Sequence, residues 1–351
     1  MKHWGWLVAA VMGIMVTDGL AADLPAGSAV EAHYTLRVHP ESGDLISVSA
    51  FGRDLIFDCG KPRALFSLRL RDEHGVATDL SALEASSVRL EQSQTEGETK
   101  IMLFYEGLRA LPVSVRVTIR CPKAGNMTYW GIAVRHETGQ RLEHIDFPTV
   151  VVPDRLVGQG GDARLFWPAM EGVVVEDVSL RESWWWKWRP IEHPNMGWIG
   201  LYPSSCPMQF MAWYTPEAGL YLYLAAHDPE GHPKGIEYHA HADGGIFLDY
   251  RHFTNAAPEQ EIVLPYEMVL GGFQGDWYDA AEIYRHWLEH SGMPAPPRFE
   301  DNPAVPAWYA ESPVVIGYPV RGTKDLGDMT PNEYYPYTRA LPHLFRLAQE
   351  L

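Results

Sequence analysis

The stretch GLYPSSCPMQFMAWYTPEAGLYLYLAAHD, residues 200–228, contains two short apolar runs, 208–214 and 219–226. A proline-containing connector, 215–218, separates the runs, and this arrangement is typical of an antiparallel hairpin. In the second run leucines alternate with tyrosines, which predicts a sheet with one face in a core and the other offering an amphipathic aromatic surface. We therefore expect this hairpin to form the centre of a large β-sandwich.

Strand-like segments continue on both sides of the hairpin. Between residues 32 and 157 short runs with partial period-2 alternation are separated by Gly, Pro, Asp or Ser, and three further runs lie between 235 and 270. Segments at this spacing, with no helical period between them, are typical of antiparallel sandwiches. The sequence therefore predicts a mainly β fold.

The hydrophobic period changes near residue 276. Apolar residues in 277–288 recur at helical spacing behind Asp276, a suitable N-cap, and a proline-rich stretch follows. Residues 313–318 then resemble a buried strand, and a second helical pattern begins at Tyr334. One strand, one loop and one helix form a βα unit, whereas a (β/α)₈ barrel needs about 250 residues. We expect 313–351 to be the start of a barrel that continues beyond the chain.

Charge and aromatic content restrict the partners. The formal net charge is −17, from 28 basic and 45 acidic residues, which argues against nucleic acid and against anionic lipid. The chain contains 13 Trp, a side chain suited to stacking on sugar rings, which favours carbohydrate as the partner. A large β core with many aromatic cross-strand pairs explains any single Trp equally well. Only Cys59, Cys121 and Cys206 are present, so a disulfide framework is not expected, although one pair could form.

The N-terminus has the pattern of a targeting signal. A weakly positive start precedes the apolar run from Trp4 to Val16, and small residues lie around Ala21 and Ala22. We predict a signal peptide over residues 1–21, cleaved after Ala21 or Ala22, and a secreted or periplasmic mature protein with no membrane contact. An uncleaved anchor is the alternative.

Four motifs carry a family resemblance: FWP at 166–168, MQFMAWY at 208–214, AAHDP at 225–229 and GDWYDAAEIYR at 275–285. With them the chain resembles a family of secreted bacterial proteins of undetermined function that is similar to the endo-α-N-acetylgalactosaminidases. In those enzymes a galactose-mutarotase-like β-supersandwich precedes a catalytic (β/α)₈ barrel.

The resemblance implies a division of the chain and a function. The implied units are a β-supersandwich over 22–272, a linker helix with a proline-rich linker over 273–312, and the start of a truncated barrel over 313–351. The implied activity is glycoside hydrolysis on oligo- or polysaccharide. The catalytic carboxylates would lie on later barrel strands, beyond residue 351, so no catalytic residue is assigned within the chain.

Candidate substrate-binding residues fall into an aromatic group and a barrel-rim group. Tryptophans crowd the segment 167–198, and neighbours on a strand point to opposite faces, so some must be exposed or covered by another domain. Tyr318 ends the predicted barrel strand, and two aspartates lie in the following loop, where barrel active sites form. Loop aspartates are more often solvated turn or capping residues, which is the alternative for these two. The predicted substrate-binding residues are Trp167, Trp184, Trp186, Trp198, Tyr318, Asp325 and Asp328.

His227 and Asp228 end the second strand of the hairpin and allow two interpretations. His227 could act in acid–base chemistry with a carboxylate such as Glu171, as in mutarotase-like sandwiches. The favoured alternative is a strand-ending turn in which Asp228 bonds the backbone beside Pro229.

A second histidine pattern, His239, His241 and Asp243, alternates along a predicted strand. Period 2 is compatible with a metal site, but exposed polar strand residues are the commoner explanation. The chain has no Walker loop, dinucleotide glycine motif, zincin motif or Gly-x-Ser-x-Gly elbow. We predict no metal and no cofactor.

Three functions remain open at this point. The leading hypothesis is the N-terminal portion of an exported glycoside hydrolase. The alternatives are a non-catalytic carbohydrate-binding β-sandwich module and, with less support, a mutarotase-like epimerase or lyase.

Overall fold

The computed structural model describes residues 28–31, 34–56, 61–153, 163–170, 172–176, 198–216, 219–240, 245–294, 297–311 and 330–350. In chain order the strands are β1 (Ser28–Glu31), β2 (Tyr34–Val38), β3 (Leu45–Ala50), β4 (Arg53–Asp54), β5 (Ser67–Arg71), β6 (Ala77–Ser81), β7 (Ser87–Gln94), β8 (Glu98–Glu106), β9 (Val113–Pro122), β10 (Met127–His136), β11 (Arg141–Asp146), β12 (Val150–Pro153), β13 (Arg164–Trp167), β14 (Val173–Glu176), β15 (Trp198–Tyr202), β16 (Phe210–Thr215), β17 (Leu220–His227), β18 (Lys234–Ala240), β19 (Gly245–Ala256), β20 (Ile262–Val263) and β21 (Glu267–Gly272). The α-helices are α1 (Trp277–His290), α2 (Ala307–Glu311) and α3 (Leu341–Glu350).

The strands form two large antiparallel sheets and one small one. A ten-stranded sheet has the order β14-β13-β16-β17-β21-β10-β9-β8-β7, with β20 paired to β10. A seven-stranded sheet has the order β15-β18-β19-β11-β5-β6, with β12 paired to β19. Strands β1 to β4 form the small sheet. The predicted mainly β supersandwich class is confirmed.

The core lies between the two large sheets. Trp130 and Trp213 of the ten-stranded sheet are fully buried together with Ile236 and Leu248 of the seven-stranded sheet. The Tyr250 hydroxyl lies 3.1 Å from the main-chain oxygen of Leu224, which joins the two sheets directly. The predicted hairpin is β16 and β17, and it occupies an inner position in the ten-stranded sheet.

The aromatic face of this hairpin is not the open surface that the sequence suggested. Helix α1 covers it, so that Tyr223 is fully buried and the ring of Phe210 lies 5.1 Å from that of Tyr284. Because α1 adds a third layer, both faces of β16 are buried. The tyrosines on the face of the hairpin that is turned away from the sandwich core therefore pack against α1.

Helix α1 begins where the sequence predicted. The Asp276 carboxylate accepts a hydrogen bond from the Tyr278 N–H at 2.8 Å, and the Asp279 carboxylate accepts one from the Asp276 N–H at 2.8 Å. Gly275 has φ +123°, and a Cβ there would overlap the Asp279 side chain. The cap therefore requires glycine at position 275.

Two other predicted regions fall partly or wholly outside the described residues. The second helical pattern forms α3, but this helix begins at Leu341 and not at the predicted Tyr334. Residues 312–329, including the predicted strand 313–318, and the signal peptide 1–21 lie outside the described residues. Among the described residues, no helix is both long and apolar enough to cross a membrane.

Candidate functional site

Trp167 was predicted to bind substrate, and the structure instead places it in the core. Its side chain is 2% exposed, its Nε1 donates to the main-chain oxygen of Ile236 at 3.1 Å, and its ring lies 5.6 Å from Tyr238. A Cβ on Gly200 would collide with the same indole. Trp167 is therefore sealed between the sheets, because strand alternation turns it inward.

The other predicted substrate residues are Trp198, at the start of β15, and five residues outside the described part of the chain. Of Trp198 the structure gives the backbone, which begins β15 opposite Tyr238. The predicted residues outside the described part of the chain are Trp184, Trp186, Tyr318, Asp325 and Asp328.

Substitution of Trp167 by phenylalanine tests its role. We expect the free energy of unfolding to fall by about 1–2 kcal/mol, because the Nε1 hydrogen bond is lost and the smaller ring leaves a gap. Urea unfolding measures this, with Trp308→Phe as the control, since Trp308 is 67% exposed. Unchanged stability together with weakened sugar binding would contradict the core role and support the prediction that Trp167 binds sugar.

His227 and Asp228 do not form an acid–base pair. The His227 ring stacks on Trp287 of α1 at 4.5 Å, and burial lowers the pKa of His227 to about 4. Asp228 turns into its own loop and accepts main-chain hydrogen bonds from Glu230 at 3.1 Å and His232 at 2.6 Å. The strand-ending turn is thus the arrangement that forms, and Glu171 lies outside the described residues.

The same loop holds a buried lysine. The Lys234 ammonium group donates to Asp228 Oδ2 at 2.7 Å, to Gln209 Oε1 at 2.8 Å and to the main-chain oxygen of His232 at 2.6 Å. Burial lowers the pKa of Lys234 to about 8, although the Asp228 carboxylate opposes this shift. The group is enclosed by its own partners, so its place is structural.

A different set of polar residues, four of them ionisable, crosses the outer face of the seven-stranded sheet. Glu237 lies opposite Asp249, Arg251 opposite Asp146, and Asp146 opposite Ser67, in strands β18, β19, β11 and β5. Alternate residues of β18 and β19 enter the core, so these five point the other way. We call Ser67, Asp146, Arg251, Glu237 and Asp249 the polar row.

Arg251 is the centre of the polar row. The Arg251 Nε lies 2.8 Å from Asp146 Oδ1, and Nη2 lies 3.2 Å from Asp146 Oδ2. The Arg251 Nη1 lies 3.2 Å from Glu237 Oε1. Ser67 Oγ donates to Asp146 Oδ2 at 3.0 Å. One guanidinium on β19 therefore contacts two carboxylates, one on each of the strands that flank it.

The carboxylates of the polar row have opposite pKa shifts. Burial raises the pKa of Glu237 to about 8 and that of Asp249 to about 7. Burial also pushes the pKa of Asp146 upward, but the hydrogen bonds from Arg251 outweigh it and hold that pKa below its usual range. Two carboxyls poised near neutral pH beside a fixed cation are the kind of arrangement found at functional sites.

His239 lies beside the polar row. Its ring stacks on Phe247 at 4.8 Å, and its Nδ1 lies 4.0 Å from Asp249 Oδ2. His241 and Asp243, which the sequence grouped with it, are outside the described residues. The imidazole is therefore placed next to a carboxyl of raised pKa, an arrangement suited to proton exchange.

A cavity of about 220 Å³ adjoins this region. His39 and Asp44, in the connection between β2 and β3, line one part of it, and Arg63, Leu65 and Thr149, which precede β5 and β12, line another. Thr149 immediately precedes Val150 of β12, which lies opposite Leu248 of β19, so the cavity wall lies next to Asp249 of the polar row. The volume is below the roughly 300–1,000 Å³ of drug-sized pockets, which suits a small polar ligand.

Comparisons of sequence give a family match and a relative. Residues 262–328 match a domain of unknown function, DUF6259. A protein from Monosiga brevicollis described as a putative glycoside hydrolase is 33% identical over 171 residues, which are 46% of this chain and 13% of the relative. The chain thus has a glycoside-hydrolase-like homologue and spans a small part of its length.

Comparisons of structure give a similar fold in part of a glycosidase and in a putative epimerase. The α-N-acetylgalactosaminidase NagBb from Bifidobacterium bifidum, in complex with Gal-NHAc-DNJ, superposes with a TM-score of 0.55 and 14% identity. The match covers 76% of this chain and 39% of NagBb. A putative aldose 1-epimerase from Escherichia coli K12 superposes with a TM-score of 0.45 and 10% identity, over 71% of this chain and 98% of that protein.

Proposed function

We propose that the chain is the N-terminal portion of an exported glycoside hydrolase that acts on oligo- or polysaccharide. Its catalytic carboxylates would lie on residues beyond 351, and its sandwich would support the catalytic part. The observation that carries the proposal is the shared fold, since most of this chain superposes on 39% of a glycosidase. The glycoside-hydrolase-like relative, of which the chain spans 13%, supports it further.

The geometry of the polar row favours a supporting role for the sandwich. A glycosidase needs two carboxyl groups that reach the glycosidic bond from either side. Glu237 is 1% exposed and Asp249 is 7% exposed, so a sugar polymer has no access to this pair. In the proposed protein, hydrolysis therefore takes place elsewhere.

A carbohydrate-binding role is the second candidate, and the cavity beside Thr149 favours it. Charged walls at Asp44 and Arg63 next to apolar Leu65 provide the mixed lining that a small sugar needs. The epimerase or lyase alternative has less support, because His227 is stacked beneath α1.

The test compares the product of the complete reading frame with residues 22–351 on a panel of aryl α- and β-glycosides. Hydrolysis by the longer protein alone is the expected result, and hydrolysis by residues 22–351 would contradict catalytic carboxylates beyond 351. Saturable sugar binding by residues 22–351, without hydrolysis by either protein, would favour a binding module. Mutarotation of a free sugar by residues 22–351 would favour the epimerase.

Export is tested separately by N-terminal sequencing of protein recovered outside the producing cell. The mature chain should begin at Ala22 or Asp23. A protein retained with residues 1–21 in place would contradict cleavage.

A further inference from the structure

The last two turns of α1 carry three exposed metal-ligand side chains, His286, Glu289 and His290. Each offers one ligand atom, and these atoms lie within 4.8 Å of one another. The two imidazole rings have centroids 4.4 Å apart, as expected for positions i and i+4. The buried residues of the helix are Ala280 and Tyr284, on its other side, and the three side chains face solvent.

A hydrogen bond already sets the tautomer of one imidazole. His290 Nδ1 lies 2.7 Å from the main-chain oxygen of His286. A carbonyl oxygen only accepts, so Nδ1 carries the proton and Nε2 presents its lone pair outward. Metal-binding histidines usually donate their second ring nitrogen to a carbonyl or carboxylate in this way.

The spacing is close to that of a bound transition metal. Bonds of about 2.0–2.2 Å in a tetrahedral site bring the ligand atoms to roughly 3.5 Å from each other. The ligand atoms must therefore approach one another by up to about 1.3 Å from their 4.8 Å limit. All three are exposed, so rotation about their side-chain bonds is unhindered by packing.

One neighbour competes for the carboxylate. An Arg285 terminal nitrogen lies 3.2 Å from Glu289 Oε1, and Arg285 also pairs with Glu282. Exposed ion pairs of this kind are weak, so a metal ion can displace the contact with Glu289. Arg285 would oppose binding, both through this contact and through its charge.

We propose that His286, Glu289 and His290 bind one divalent transition-metal ion of the zinc type. Two imidazoles and one carboxylate form a donor set that zinc accepts, and water completes the coordination. The ion lies at the C-terminal end of α1, where a positive charge is favourable. The ion would join His286 to Glu289 and His290 and so hold the last turn of α1 in helical form. Trp287 lies in this turn and packs on His227, so the ion also stabilises the contact of the helix with the ten-stranded sheet. The proposal is independent of the proposed function.

The test is zinc titration of the full chain by isothermal calorimetry, with thermal unfolding alongside. We expect one zinc-binding event that His286→Ala and His290→Ala each weaken at least 10-fold, about the smallest loss seen when a supporting partner of a metal ligand is removed. Arg285→Gln should tighten it, because Glu289 is released. At the same zinc concentration, the unfolding temperature of the wild type should rise by more than that of either histidine variant.

His74→Ala is the matched control, because His74 forms an exposed pair with Glu73 at 3.6 Å. It should leave zinc affinity unchanged. The proposal is overturned if zinc affinity survives both histidine substitutions, if no binding is measured, or if Arg285→Gln weakens binding.

Discussion

Asp228→Ala is expected to lower the free energy of unfolding by about 3–5 kcal/mol, because it leaves a buried ammonium group without its counterion. Lys234 is 0% exposed, and its Nζ lies 2.7 Å from Asp228 Oδ2. The rings of Tyr202 and Tyr266, each under 5 Å from Nζ, soften the loss but do not replace a charge. Urea unfolding at pH 7 measures the effect.

Asp72→Ala is the matched control. Asp72 holds a similar turn, accepting from the N–H of His74 at 2.9 Å and of Val76 at 2.7 Å, in an exposed loop. Among the described residues no lysine donates a hydrogen bond to it, so its loss should cost only about 1 kcal/mol. The double variant Asp228→Asn with Lys234→Met should recover part of the loss, because removing both charges costs less than stranding one. Equal costs for the two alanine variants would show that Lys234 is not stranded.

The pH dependence follows from the direction of the Asp228 shift. Burial raises the pKa of Asp228, but hydrogen bonds from Lys234 and His232 outweigh it and hold that pKa below its usual range. Such a carboxylate contributes its stability above the unfolded-state pKa of about 4, and loses it as the pH falls through the folded-state pKa. The difference between wild type and Asp228→Ala should therefore shrink in acid.

Local signals were sufficient for the hairpin and for α1. The apolar runs around the Pro216 connector specify two paired strands, and Asp276 with Asp279 specifies the helix start. Trp167 shows where local signals fail. Phe166 and Trp167 are equally aromatic, and pairing with β16 decides that Phe166 stacks on Phe210 while Trp167 turns into the core.

The polar row could not be read from any one strand. Each strand shows only alternating polar residues, which usually indicate a solvent-facing side. The contacts join residues far apart in the chain, such as Ser67 with Asp146 and Asp146 with Arg251. Strand order and register create the cluster, and the local patterns of one sequence do not allow either of them to be predicted.

Glu237→Gln is expected to reduce the loss of stability that the wild type suffers as pH rises. Burial raises the pKa of Glu237 to about 8, so the folded state binds a proton more tightly than the unfolded state. A group of this sign stabilises the fold fully below its unfolded pKa, near 4.3, and loses that stability as pH rises through 8. Between pH 5.5 and 8.5 the variant should lose about 2–4 kcal/mol less than the wild type.

The comparison must be made as a difference between proteins. Burial lowers the pKa values of His144, His227 and His252 to about 4, so these residues make stability rise between pH 4 and 6.5 in both proteins. Subtracting the wild-type curve removes their contribution. Urea unfolding at a series of pH values supplies both curves.

Glu143→Gln is the control from the same sheet. Its hydrogen bond from Arg71 lowers the pKa of Glu143, so its contribution is present at both pH 5.5 and pH 8.5. That variant should shift the whole curve without changing its slope in this range. Asp249→Asn should act like Glu237→Gln about one pH unit lower, since the Asp249 pKa is about 7. A Glu237→Gln curve parallel to the wild type would mean that Arg251 keeps Glu237 ionised throughout, and the polar row would then be a brace between strands with no proton to exchange near neutral pH.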